Sequence, residues 1–237
     1  KAVTLNGGGL TVNKSAEIET LSGNGELRVS EGAVLTVTGS ASGSFRLPEF
    51  EGTALADSGL SLPLGSDVTL TNANGETVTL PEPVDQVEGL GKYATMAEAF
   101  AAITADAGTG VYTLTLQKDV TLEGDTTYAN KPVVTLPAKA LVIDGNNHKL
   151  CLPNGYVDAN ADLTLKSVEL DMASTYLRVS AQGATVTVEG TVTGALDYLS
   201  ANAEQCSAVI HAPATGNVVG TVNGTSGKVM TLTLKGY

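Results

Sequence analysis

The sequence predicts an all-β chain wound as a parallel β-helix, with one short capping α-helix near residues 95–105. Three observations predict it. First, Leu27-Arg28-Val29-Ser30-Glu31-Gly32-Ala33-Val34-Leu35-Thr36-Val37 is echoed by Leu177-Arg178-Val179-Ser180-Ala181-Gln182-Gly183-Ala184-Thr185-Val186-Thr187-Val188. Each copy is an alternating strand, a corner of small residues, and a second alternating strand. Second, Tyr156-Val157-Asp158-Ala159-Asn160-Ala161, Tyr176-Leu177-Arg178-Val179-Ser180-Ala181 and Tyr198-Leu199-Ser200-Ala201-Asn202-Ala203 share one pattern at spacings of 20 and 22 residues. Third, the strands meet at Gly, Ala, Ser and Asn rather than at long loops. A strand with period-2 alternation buries one face only, so such units must stack to bury their apolar sides. An antiparallel β-sandwich is the alternative, since it too has many short strands at regular spacing. Recurrence at 20–22 residues, rather than at hairpin distance, favours the solenoid.

Residues 1–84 read as a shorter, less regular β-helical unit. Leu10-Thr11-Val12 with Ile18 is a weak copy of the repeat, Leu27 to Val37 a strong one, and Leu62-Pro63-Leu64-Gly65-Ser66-Asp67-Val68-Thr69-Leu70 another. Residues 85–92 read as a linker, within Pro81-Glu82-Pro83-Val84-Asp85-Gln86-Val87-Glu88-Gly89. Residues 93–237 read as a helix-capped β-helix unit. Thr95 can cap a helix, with Glu98 three residues on completing a capping box. Met96, Ala99, Phe100 and Ile103 form its apolar stripe at i, i+3, i+4 and i+7. A short amphipathic helix of this kind covers the exposed first coil of a solenoid. Strands follow at Tyr112–Leu116 and Val120–Leu122, and Leu136 to Ile143 is a compressed repeat.

Composition agrees with a thin, layered interior. Hydrophobic residues make up 42% of the 237, which rules out a disordered tail, but aromatics are 4% and Trp is absent. The net charge is −12 and only Arg28, Arg46 and Arg178 are arginines, so the concentrated cations that nucleic-acid binding needs are missing. No apolar run approaches the roughly 20 residues of a membrane helix, so no membrane insertion is expected. Lys1 leads directly into the alternating Ala2-Val3-Thr4-Leu5, and no signal-peptide pattern is visible.

A family resemblance strengthens the fold reading. Tyr93-Ala94-Thr95-Met96-Ala97-Glu98-Ala99-Phe100, a strand, then Lys118-Asp119-Val120-Thr121-Leu122 resembles the opening of many bacterial surface β-helix domains. Leu141-Val142-Ile143-Asp144-Gly145-Asn146-Asn147-His148-Lys149-Leu150 resembles their recurrent coil signature, a strand followed by Asp-Gly-Asn-x-His. The resemblance is to the pectate-lyase-like right-handed parallel β-helix superfamily. It covers about 93–237, and Leu21 to Leu27 also looks like a passenger-type repeat. It implies fold and an extracellular or cell-surface place, not an activity. The Asp-Gly-Asn-x-His stretch is usually a turn there, and no set matching the lyases' catalytic residues is found.

The outward positions of the tyrosine block are the candidate site. If Val157, Ala159, Leu177, Val179, Leu199 and Ala201 point inward, the outward columns are Tyr156/Tyr176/Tyr198, Asp158/Arg178/Ser200 and Asn160/Ser180/Asn202. Aromatic faces beside amide and carboxylate groups suit a carbohydrate. The competing reading is that the tyrosines stack for stability and Asp158–Arg178 is a ladder ion pair. Asp144, Asn146, Asn147 and His148 suggest Ca²⁺, but one turn seldom supplies all the oxygens, and a corner turn is expected. His148 and His211 are the only histidines and no nucleophile motif accompanies them, so a triad has no support. Asp158, Asp162, Asp171 and Asp197 are the acids open to a glycosidase or lyase. Cys151 and Cys206 fall in different coils, beyond the reach of a disulfide, and two thiols are expected. No cofactor or metal is expected. The function expected is therefore a non-catalytic stalk or adhesin-like module, with glycan or cell-wall polysaccharide as partner. A polysaccharide lyase or glycoside hydrolase on the same fold is the alternative.

Overall fold

The computed structural model describes residues 1–172, 175–194, 198–201, 206–211, 221–224 and 230–235. The strands wind as a β-solenoid of about eight turns in all. The chain divides into two units, Lys1–Glu82 and Pro83–Tyr237. No helix among the described residues is long and apolar enough to cross a membrane.

In the first unit β1 (Ala2–Val12), β2 (Ala16–Val29), β3 (Leu35–Arg46), β4 (Leu60–Ser61) and β5 (Asp67–Thr71) pair in parallel. Register shifts at Asn6/Gly8 and Ile18/Thr20 let the long strands turn corners without leaving the ladder. Leu21, Leu27, Leu35, Phe45 and Leu70 alternate inward and form a buried core. Outward, Glu26 takes Arg28 Nη2 at 2.7 Å and Arg46 Nη1 at 3.2 Å, an exposed ladder across adjacent coils. One corner requires glycine. Gly23 and Gly43 stack with φ of +97° and +117°, and a Cβ on Gly43 would lie 1.9 Å from Gly23 O. A side chain there meets the backbone of the coil below.

The second unit opens with β6 (Asp85–Val87), β7 (Gly91–Tyr93) and α1 (Met96–Ala105). It continues with β8 (Tyr112–Leu116), β9 (Val120–Thr121), β10 (Thr126–Tyr128), β11 (Lys131–Thr135), β12 (Leu141–Asp144), β13 (Lys149–Leu152) and β14 (Tyr156–Ala159). Then come β15 (Leu163–Met172), β16 (Tyr176–Val179), β17 (Thr185–Gly194), β18 (Tyr198–Ala201), β19 (Cys206–His211), β20 (Thr221–Gly224) and β21 (Met230–Lys235). One sheet runs β10-β11-β14-β16-β18-β20 and a second runs β21-β19-β17-β15-β12-β8-β6-β7. Pairing from one coil to the next is parallel. That sets aside the sandwich, whose strands would be antiparallel. β15 bends where its register shifts between Lys166 and Glu169, with Ser167 at φ +48°, so its first half pairs β12 and its second half β13.

The two repeated phrases occupy the same part of a coil. Leu27–Val29 ends β2 and Leu177–Val179 forms most of β16. Each then enters a corner closed by Ala33 N donating to Ser30 O (2.9 Å) or Ala184 N to Ala181 O (3.2 Å). The next strand begins at Leu35 or Thr185.

Residues 85–92 are not a linker. They form the β6–β7 hairpin, antiparallel to each other and to β8, and Val87 is buried in the core of the second unit. Pro81, Pro83 and Gly89 give the stretch its linker composition. However, Gly89 at φ +79° makes the hairpin turn, and Asp85 and Val87 alternate inward. The helix follows the sequence closely. Thr95 Oγ1 accepts from Glu98 N at 3.2 Å, and Glu98 Oε2 accepts from Thr95 N at 3.2 Å. Met96, Ala99, Phe100 and Ile103 are its buried face.

Candidate functional site

The tyrosine face is built by register. Tyr156 pairs Tyr176 and Tyr176 pairs Tyr198, while Asp158, Arg178 and Ser200 follow one another in register two residues on. Val157, Ala159, Leu177 and Val179 are buried and their alternates are not. For Tyr198, Leu199, Ser200 and Ala201 only the backbone register is described, and Asn202 lies outside the described residues.

Side chains on the outward face converge. The rings of Tyr156 and Tyr176 lie 4.9 Å apart, inclined by 32°. The Arg178 guanidinium donates from both Nε and Nη2 to the Asp158 carboxylate. Its Cζ sits 4.3 Å over the Tyr156 ring and 5.6 Å from that of Tyr128. Tyr128 meets Tyr156 edge-on at 5.4 Å, and Lys131 Nζ lies 5.0 Å over Tyr176. The aromatic faces thus hold cations, an arrangement favoured by the ring quadrupole. Tyr128, 60% exposed, presents the open ring surface.

Tyr128 and Lys131 are the members that sequence reasoning missed. They flank Ala129 and Asn130, whose φ values of +50° and +62° make the tight turn joining β10 to β11. Val133 then stands in the coil position below Tyr156. A Tyr-x-Asn-Lys hairpin lacks the Asn-Gly signal of such turns, so the available clue was the 23-residue offset from Val133 to Tyr156. Asn160 Nδ2 donates to Leu136 O at 3.2 Å and ties its corner to the coil below.

Among the described residues the remaining sequence candidates do not assemble into a second site. Asp144 to His148 is a corner turn in which His148 N donates to Gly145 O (2.7 Å) and Asn146 N to Asp144 Oδ1 (3.0 Å). Asn146 and Asn147 have positive φ, and a Cβ on Gly145 would meet Val168 Cα at 2.5 Å. Lys166 Nζ lies 3.3 Å from Asp144, and His148 Nδ1 lies 3.6 Å from Asp119. Among the described residues no three His, Cys, Asp or Glu side chains are grouped to hold a metal. Asp162 accepts from Thr185 N at 2.8 Å, Asp171 lies on a different sheet from Asp158, and Asp197 is outside the described residues. No disulfide joins Cys151, half-buried, to Cys206, buried.

Two features near α1 had no counterpart in the sequence reading. A cleft of about 550 Å³ opens between Met96, Phe100 and Thr104 of the helix and the stretch carrying Asp119, Leu122, Glu123 and Asp125. Close by, Asp85 is fully buried, and neither carboxylate oxygen has a hydrogen-bond partner. Burial, with the nearby Glu98 carboxylate adding to it, pushes the Asp85 carboxyl up to about 7. The Tyr93 phenol opposite is raised by burial and by Asp85.

Comparison with protein-family models finds no match. Comparison with curated proteins and with solved structures likewise finds none.

Proposed function

We propose that this chain is a non-catalytic β-helix module of a bacterial cell surface or extracellular protein, related to the pectate-lyase-like solenoids, and that its tyrosine face binds carbohydrate. The observation that carries this reading is the contiguous set Tyr128, Tyr156, Tyr176, Lys131 and the Asp158–Arg178 pair on one sheet face. Stacked strands hold these groups at fixed spacing, so little side-chain freedom is lost when a ligand docks. Tyr128 offers an apolar ring surface to a sugar C–H face. Tyrosine hydroxyls and the Lys131 ammonium offer hydrogen bonds to its oxygens. The test is a glycan array with the intact chain and with Tyr128→Ala and Tyr156→Ala. Glycan binding that both variants lose supports the reading, and binding that neither variant changes refutes it.

A polysaccharide-degrading enzyme is the second reading, favoured by the three carboxylates of Asp119, Glu123 and Asp125 along the α1 cleft. Glycoside hydrolysis needs one acid and one base flanking the bond. Release of reducing ends or unsaturated products from polysaccharides, abolished by Glu123→Gln, would favour it over the binding module.

A further inference from the structure

Among the described residues Asp85 is the acid that is fully buried with both oxygens unpartnered. A carboxylate in that state loses its hydration without replacement, whereas the protonated acid does not carry the charge. The groups around it deepen the penalty on the anion. From β7 its cross-strand partner is Tyr93, from β8 it is Leu116, and from α1 the acting group is the Glu98 carboxylate. None of these is a cation. Glu98 is itself held in place, accepting from Ala94 N at 3.0 Å and from Thr95 N at 3.2 Å.

Charge on Asp85 therefore calls for water, and the elements around it differ in how readily they give way. β6 is bound by backbone ladders to β7 on one side and β8 on the other. α1 has no ladder to a strand. Its seat is the packing of Met96, Ala99, Phe100 and Ile103. We propose that Asp85 makes the closure of α1 over β6 and β7 proton-dependent: the helix stays seated while this carboxyl is protonated and lifts from the strands when it ionises. Met96 and Phe100 also form one wall of the cleft, so lifting the helix widens it.

The direction in pH follows from linkage. In the seated state the carboxyl titrates at about 7, and in the lifted, hydrated state it titrates in the ordinary range near 4. Closure is thus fullest below about pH 4, weakens up to tenfold per pH unit toward pH 7, and levels off above.

Hydrogen exchange read by mass spectrometry tests this on the whole chain at pH 4.5 and 7.5, corrected for intrinsic exchange rates. The expected result is a loss of protection over residues 96–105 on the order of 100-fold between the two conditions. Asp85→Asn should abolish that loss, and residues 141–170 should keep their protection. An unchanged wild type, an equal loss in Asp85→Asn, or a loss shared equally by 141–170 overturns the proposal. Should Asp85→Asn fail to fold, Glu98→Gln gives an independent reading. It keeps an acceptor for Thr95 N and removes the like charge, so the ionised carboxyl is penalised less in the seated state and the loss of protection between pH 4.5 and 7.5 should be smaller than in the wild type. A loss as large as the wild type's overturns the proposal.

Discussion

Arg178 lies with its Cζ 4.3 Å over the ring of Tyr156, a residue of the preceding coil. The same guanidinium grips Asp158, two residues beyond that tyrosine and on the same outward face. One side chain therefore joins two columns of the ladder. The pair is mostly shielded, with side chains 15% and 18% exposed, unlike the outer Arg28–Glu26 pair at 39% and 38%.

This geometry needs the planar, forked head of arginine. Arg178→Lys retains charge but loses the two-point grip and the stacking. It should destabilise the second unit by about 1–2 kcal/mol. Arg28→Lys, at the exposed ladder of the first unit, should change stability by less than about 0.5 kcal/mol. Urea denaturation followed by circular dichroism checks both. Equal effects from the two substitutions would show that the stacked pair adds nothing beyond surface charge.

The glycine corners predict a contrast within the first unit. Gly43 at φ +117° has Gly23 O where a Cβ would stand, at 1.9 Å. Gly32 also has positive φ, +75°, but a Cβ there would meet nothing within 4 Å. Gly43→Ala adds a backbone collision to the conformational strain and should cost about 3 kcal/mol or more. Gly32→Ala carries the strain alone, about 1 kcal/mol. Thermal unfolding of the two variants checks the ordering.

The parallel coils were legible because Tyr156, Tyr176 and Tyr198 recur at the spacing of one turn, and stacking converts that spacing into register. The helix was legible because a capping box and an apolar stripe are both local signals. The hairpin at 85–92 was not, since three residues per strand are too few for alternation to outweigh Pro and Gly in composition. The same holds at the candidate site. Asp158 and Arg178 could be paired from register alone, whereas Tyr128 and Lys131 reach the face only through a turn at Ala129–Asn130 that lacks glycine. Asp85 escaped notice for a different reason. A lone acid in a polar-looking segment gives no sign of burial until the hairpin turns it inward.

The cap of α1 supports a last prediction. The side chain of Thr95 accepts from Glu98 N, while the Glu98 side chain returns to Thr95 N, so two helix-end donors are satisfied reciprocally. Thr95→Ala removes the hydroxyl and leaves Glu98 N to water, at a cost of about 1 kcal/mol. Thr95→Ser keeps an acceptor at the same place and should be close to neutral. Because the helix seats against β6 and β7 through one apolar face only, the loss should appear first as faster amide exchange in residues 96–105. Exchange in residues 141–144 of β12, held by ladders on both sides, should stay unchanged. Equal acceleration in the two segments would mean that the cap serves the whole unit rather than the helix.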